Sequence, residues 1–164
     1  LYTGVGKVNA LVSLANNTEK FGPPSLIVNY GTAGTVNKKH KGLVEVDVIL
    51  QRDMIAEPQA PRGITPFDKD EVAGAMMLNS NTDVTLGTGD SFVQEPDPWF
   101  EYASVDIVDM EAYALAKFAK IKKIPFRCFK YVTDFADENA MENWTKNVSD
   151  GQDSFNEKLH DIMN

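Results

Sequence analysis

Asp106, Asp109 and Glu111 stand within six positions of one another, and a further carboxylate, Asp134, follows Thr133 some way downstream. Carboxylates can give or take protons and can accept hydrogen bonds from ligand hydroxyls, so their placement by the fold decides what they do. From Met110 onward, apolar residues fall at Met110, Ala114, Leu115, Phe118 and Ile121, the spacing of one helix face. Lys117, Lys120, Lys122 and Lys123 gather toward its end, which suits the helix dipole. Pro125 is expected to stop this helix, and Phe126 to Val132 reads as a mostly buried strand that ends on Thr133 and Asp134. Glu111 then lies in the first helical turn and Asp134 just past the strand. Ligands of open α/β sheets collect outside the carboxyl ends of strands. A plainer reading is equally open: Glu111 satisfies the helix dipole and Asp134 caps the next segment.

The rest of the composition narrows the classes. A chain of 164 residues is expected to form one domain over residues 1–164 with a substantial core. Its net charge of −8 argues against nucleic acid or an anionic membrane as partner, since both call for clustered Lys and Arg. No apolar run approaches the ~20 residues that span a bilayer. Cys128 is alone, inside the expected buried strand, which points to a reducing, cytoplasmic setting without a disulfide framework. With two His and one Cys, neither a metal site nor a cofactor is called for.

Taken in order, Gly4-Val5-Gly6 is a tight turn into a helix whose apolar face is expected at Val8, Leu11, Val12 and Ala15. The turn lacks the third glycine of a dinucleotide fingerprint and the ending of a P-loop. Ser25 to Asn29 reads as a strand, running into a glycine-rich stretch, Tyr30-Gly31-Thr32-Ala33-Gly34, that is either a simple turn or a pocket floor. Val44 to Leu50 alternates like one strand exposed on a face or near an edge, and Glu57 to Phe67, rich in Pro, reads as a loop. Arg52 and Arg62 could be phosphate ligands, but solvated or subunit-contact roles are the expectation. Asp68 to Asn79 reads as a short amphipathic helix and Asp83 to Leu86 as a strand. Phe92 offers a π-face or a core side chain, and Glu95 to Trp99 is a rigid acidic turn without an evident purpose. Glu138 to Ser149 fits no element firmly, and Gln152 to Met163 reads as a terminal helix packed on the sheet.

Val108-Asp109-Met110-Glu111-Ala112, followed by a helix and then Val132-Thr133-Asp134-Phe135-Ala136-Asp137, resembles the signature half of the purine nucleoside phosphorylase and nucleosidase superfamily. The resemblance is strongest to the 5′-methylthioadenosine/S-adenosylhomocysteine nucleosidase type, with Asp109 where that pattern has glutamate and Thr133 where it has serine. Gly4-Val5-Gly6-Lys7-Val8, Gly31-Thr32-Ala33-Gly34 and Thr88-Gly89-Asp90-Ser91-Phe92 resemble its other segments. It implies a three-layer α/β/α fold around a central mixed sheet, here entered after the family's usual N-terminal strand and its water-activating glutamate. It also implies a homodimer or larger homo-oligomer and a purine nucleoside as the small-molecule partner.

By the same resemblance, Phe92 stacks on the purine and the backbone of Val93 reads its edge. Thr32, Gly34 and Thr133 approach the substrate, Met110 packs on the sugar, and Glu111 accepts the ribose hydroxyls. Asp134 is the implied catalytic acid, donating a proton to the leaving base. Phosphorylases of the superfamily usually hold phosphate with an arginine where this chain has Asn29, so hydrolysis is expected. A purine nucleoside phosphorylase, or a nucleoside-binding module without full turnover, is the alternative.

Overall fold

In a computed structural model, which describes residues 1–135 and 151–163, one sheet of seven strands carries the chain. The elements run α1 (Lys7–Phe21), β1 (Ile27–Thr35), β2 (Gly42–Glu45), β3 (Val48–Gln51), α2 (Asp70–Ala73) and β4 (Met76–Met77). There follow β5 (Thr85–Thr88), α3 (Pro98–Tyr102), β6 (Ile107–Asp109), α4 (Ala112–Lys122), β7 (Phe126–Phe135) and α5 (Gln152–Met163). Strand order is β2-β7-β1-β6-β5-β3-β4. β1 runs parallel to β7 and antiparallel to β6, and β6, β5 and β3 are mutually parallel, so the sheet is mixed.

Alternation along the strands sorts the helices into two layers. Ile27 of β1 packs with Ala10 and Leu14 of α1 and with Leu115 and Ala119 of α4. Cys128 and Val132 of β7 join Ala112, Tyr113 and Ala116 of α4 on that same face. The opposite parity faces the other way: Tyr30 of β1 stacks on Phe155 of α5, with ring centroids 4.0 Å apart, and Phe129 of β7 lies tilted against the same ring. Phe100 of α3 packs on Val108 of β6 in a separate cluster. Helices therefore cover both faces, giving the three-layer α/β/α arrangement. Among the described residues, no helix is long and apolar enough to cross a membrane.

Several elements differ from the sequence expectation, each for a physical reason. α1 buries Ala10 and Leu14, while Val8, Leu11 and Val12 face outward. The small Ala10 meets the small Ala119, so the helices approach along this narrower stripe. The glycine-rich stretch is no turn: β1 continues through Gly31 and Gly34 to Thr35. The alternating run from Val44 to Leu50 is two strands, not one. β2 pairs with β7 at the sheet edge, whereas β3 lies between β5 and β4 in the other half. The switch occurs at Val46, which is fully buried, and Asp47, whose carboxylate accepts the Ser80 and Asn81 amides.

The helix expected from Asp68 to Asn79 is a single turn. It breaks at Gly74, where a Cβ would lie 2.7 Å from Ile64 Cδ1, and the chain then extends into β4. α4 begins at Ala112 rather than Met110, and it ends before Pro125, through Lys123 in the left-handed region. Glu95 to Trp99 acquires a purpose: Asp97 caps α3 by accepting the Trp99 amide and also pairs with Arg62 at 2.7 Å. Residues 138–149 lie outside the described residues.

Candidate active site

Asp109 is the node from which the site is built. Ending β6, it turns back over the start of α4 and accepts the Ala112 amide at 2.9 Å and the Glu111 amide at 3.3 Å, satisfying helix donors that have no partner within the helix. Its other oxygen accepts the Thr88 hydroxyl at 2.6 Å, and Thr88 Oγ1 in turn accepts the Tyr113 amide. Lys130 of β7 pairs with Asp109 at 2.7 Å, with both side chains 1% exposed. Four elements (β5, β6, α4 and β7) thus meet at one buried polar knot. Burial alone would lower the Lys130 pKa, but Asp109 outweighs it and holds the ammonium above the ordinary lysine range.

Glu111 sits at the N-cap position of α4, beside this knot. Burial raises its pKa, and the neighbouring Asp109 charge pushes the same way; the Gly6 amide and Lys130 offset part of the rise. The Gly6 amide donates to Glu111 Oε1 at 2.8 Å from a backbone with φ of 90°, a conformation that favours glycine. One carboxylate oxygen is therefore fixed by backbone.

A cavity of about 880 Å³ opens in front of Glu111. Its origin is in the sheet. β1 pairs with β6 only at Gly34 and Thr35, so the strands separate below that rung. The gap leaves Asn29 to Ala33 facing the turn at Met110 and Glu111. Of the residues singled out from sequence, Thr32, Gly34, Phe92, Val93, Met110 and Glu111 all line this space. Thr133 is not among its walls. It is the extra residue of a bulge, because Ala33 pairs with Val132 and Gly34 with Asp134. That register puts Asp134 inside β7 rather than past its end; its side chain lies outside the described residues.

Other residues of the cavity were not singled out as site residues from the sequence, although Tyr30 belongs to the stretch read as a turn or a pocket floor. Arg52, expected in a solvated or subunit-contact role, is 6% exposed and lines the wall. Lys130 reaches the floor, where its ammonium would stand 3.4 Å from a Cβ at Gly31. Its signal in the sequence was a charge, one of two cations with Arg127, inside a mostly buried strand, and a buried charge demands a partner. Tyr30, Phe155 and Leu159 add an apolar side. Nothing in the sequence pattern of the terminal helix distinguishes residues packing on the sheet from residues lining a cavity.

Solved structures share this architecture. The chain superposes on a Helicobacter pylori MTAN mutant with 5′-methylthioadenosine in its active site at a TM-score of 0.80, with 17% identity, over 92% of this chain and 72% of that one. The futalosine hydrolase of Helicobacter pylori superposes at 0.81, with 19% identity and the same coverage. These likenesses define a fold class. The family follows from sequence: a model described as "Phosphorylase superfamily" matches residues 1–164, and the chain belongs to that superfamily. A 5′-methylthioadenosine/S-adenosylhomocysteine nucleosidase of Buchnera aphidicola is 29% identical over 90% of this chain and 71% of its own length. That of Bacillus velezensis is 26% identical over 89% and 71%.

Proposed function

We propose that this protein hydrolyses the N-glycosidic bond of an adenine nucleoside of the 5′-methylthioadenosine or S-adenosylhomocysteine kind, releasing the free base. The observation that carries the reading is the single cavity on which Thr32, Gly34, Phe92, Val93, Met110 and Glu111 converge. The nucleosidase relatives support the substrate class. In this reading the purine stacks on Phe92, and the ribose lies between Met110 and strand β1. Glu111, held at one oxygen by Gly6, accepts the ribose hydroxyls. As the bond to the base breaks, positive charge builds on the sugar and negative charge on the purine. Asp134 gives its proton to the departing base; water supplies the oxygen that bonds to the anomeric carbon and loses a proton to the medium, from which Asp134 is reprotonated.

Hydrolysis is favoured over phosphorolysis because Lys130 and both terminal nitrogens of Arg52, the cations lining the cavity, are already engaged. Lys130 is paired with Asp109, and the Arg52 guanidinium donates to Gly89 and Ser91. A phosphate would have to break these bonds to gain charge-assisted donors. The test is a nucleoside panel scored for free base, with and without phosphate. Adenine release that does not depend on phosphate is expected. Phosphate-dependent release would identify a phosphorylase, and tight binding without release would identify a binding module.

A further inference from the structure

We propose that the consecutive pair Arg52–Asp53 is a clamp that fixes the Gly89–Val93 loop and so sets the affinity for the base. This rests on the reading of the cavity as a purine site. All of Gly89, Asp90 and Ser91 are held by the pair. Arg52 Nη2 donates to the Gly89 carbonyl at 2.9 Å and to the Ser91 carbonyl, and Nη1 donates to Ser91 Oγ at 3.1 Å. Asp53 Oδ2 accepts the Asp90 amide at 2.9 Å. The fit is close enough to require glycine in the loop: a Cβ at Gly89 would lie 2.9 Å from Arg52 Cζ and 3.0 Å from Asp53 Cγ.

The pair is itself anchored. The Arg52 amide donates to the Thr88 carbonyl, continuing the β3–β5 ladder by one more bond, and the Arg52 carbonyl accepts from Arg62 Nε. Burying a guanidinium is costly, and among the described residues Nε has no acceptor. Such a group is a poor device for stability alone. Its bonds go instead to the loop that presents Phe92 and Val93 to the cavity. Asp53 extends the clamp: it pairs with Lys7 at 2.6 Å, and the Lys7 amide donates to Asp90 Oδ1 at 2.7 Å. Lys7 adjoins Gly6, whose amide holds Glu111. The base side and the sugar side of the cavity are therefore tied through one turn. A loop ordered in advance spares the ligand the entropy of ordering it.

Arg52→Lys keeps the charge but loses the planar fork that spans Gly89 and Ser91. Asp53→Ala removes the other half of the clamp. Amide hydrogen exchange is followed in the ligand-free protein, and adenine binding is measured by calorimetry well below each variant's melting temperature. In both variants exchange across 89–93 should quicken at least about tenfold while β5 and β6 stay protected, and adenine affinity should fall about 10- to 100-fold. KM for a cleaved nucleoside should rise more than kcat falls. A role confined to stability would lower the melting temperature and leave the adenine affinity of the folded variants unchanged. Unaltered exchange in the loop overturns the clamp. A loosened loop with adenine affinity within twofold of the parent overturns its link to the base. If the parent binds no adenine, the purine reading falls together with that link, while the exchange data still judge the clamp by itself.

Discussion

Replacing Lys130 by methionine removes the cation from the knot and leaves Asp109 buried with no countercharge. The side chains are of similar length, so the change is one of charge rather than of volume. Breaking a buried ion pair by deleting one partner costs about 3–5 kcal/mol, because the remaining charge stays desolvated. Asp109 keeps its bonds from Thr88 and Ala112, which places the expected loss toward the lower end of that range. For a chain of this size each kcal/mol lowers the melting temperature by about 2–4 °C, so a fall of roughly 6–12 °C is expected. Urea unfolding of the parent, Lys130→Met, Asp109→Asn and the double variant measures the effect. The double variant has no buried charge at the knot and should recover at least half of the single-variant loss. A cost below about 1 kcal/mol for Lys130→Met, or a double variant no better than the sum of the singles, would refute the account of Lys130 and Asp109 as a coupled buried pair.

Glu111 must be ionised to accept two hydroxyls, and its pKa is raised above the ordinary 4.5. Ribonucleoside affinity should therefore be lost, as pH falls, at a higher pH than an ordinary carboxylate would dictate, and Lys130→Met should move that limb higher still; calorimetry across pH reads both shifts. Glu111→Gln at neutral pH should weaken ribonucleoside binding by roughly 30- to 1000-fold, from loss of about 2–4 kcal/mol of charge-assisted bonding, and unchanged affinity would end its proposed role. Asp134→Asn should slow base release by ~10²–10⁴-fold with nucleoside binding kept within about tenfold; parent-like turnover would assign the acid elsewhere. Burial pushes the Cys128 thiol up to about 12, so iodoacetamide at pH 8 should label it only after unfolding in urea, and rapid labelling of the native protein would contradict its burial.

Much of the fold was legible because period and length agree in the longer elements. The presence of α4 and the buried run of β7 were both plain in the sequence, although α4 buries Ala112, Tyr113, Leu115, Ala116 and Ala119 rather than the expected face, of which only Leu115 is buried and Ile121 is exposed. Shorter elements were harder, since their boundaries depend on partners distant in the chain. Nothing local says that Val44 and Leu50 belong to opposite halves of a sheet, because the division is made by what β7 and β5 offer as neighbours. α1 presents two apolar stripes, and the choice of Ala10 and Leu14 is made by Ala119 on another helix. Gly31 and Gly34 imitate a turn because glycine weakens any strand signal, yet β7 pairs with β1 along its whole length.

The candidate site divides along the same line. Phe92, Met110 and Glu111 could be singled out because their segments resemble motifs of a known superfamily; spacing alone would not have marked them. Arg52 and Lys130 could not be placed, because a buried cation is recognised by the acceptors around it, and those come from other elements. Asp109 and Lys130 are 21 positions apart in the chain, and Arg52 lies 37 positions from its acceptor at Gly89. Each long-range bond replaces water that the charge would otherwise keep, so burial of the cation and arrival of its partner must happen together. The same condition explains Gly31, whose missing side chain leaves space for the Lys130 ammonium at the cavity floor. Without that pairing, the floor would hold Asp109 and Glu111 as neighbouring buried carboxylates and no countercharge. The Glu111 pKa would then rise further, and a protonated Glu111 could not fill the proposed role of accepting both ribose hydroxyls. The ion pair that braces the fold at this point therefore also offsets part of the rise in the Glu111 pKa caused by burial and by Asp109.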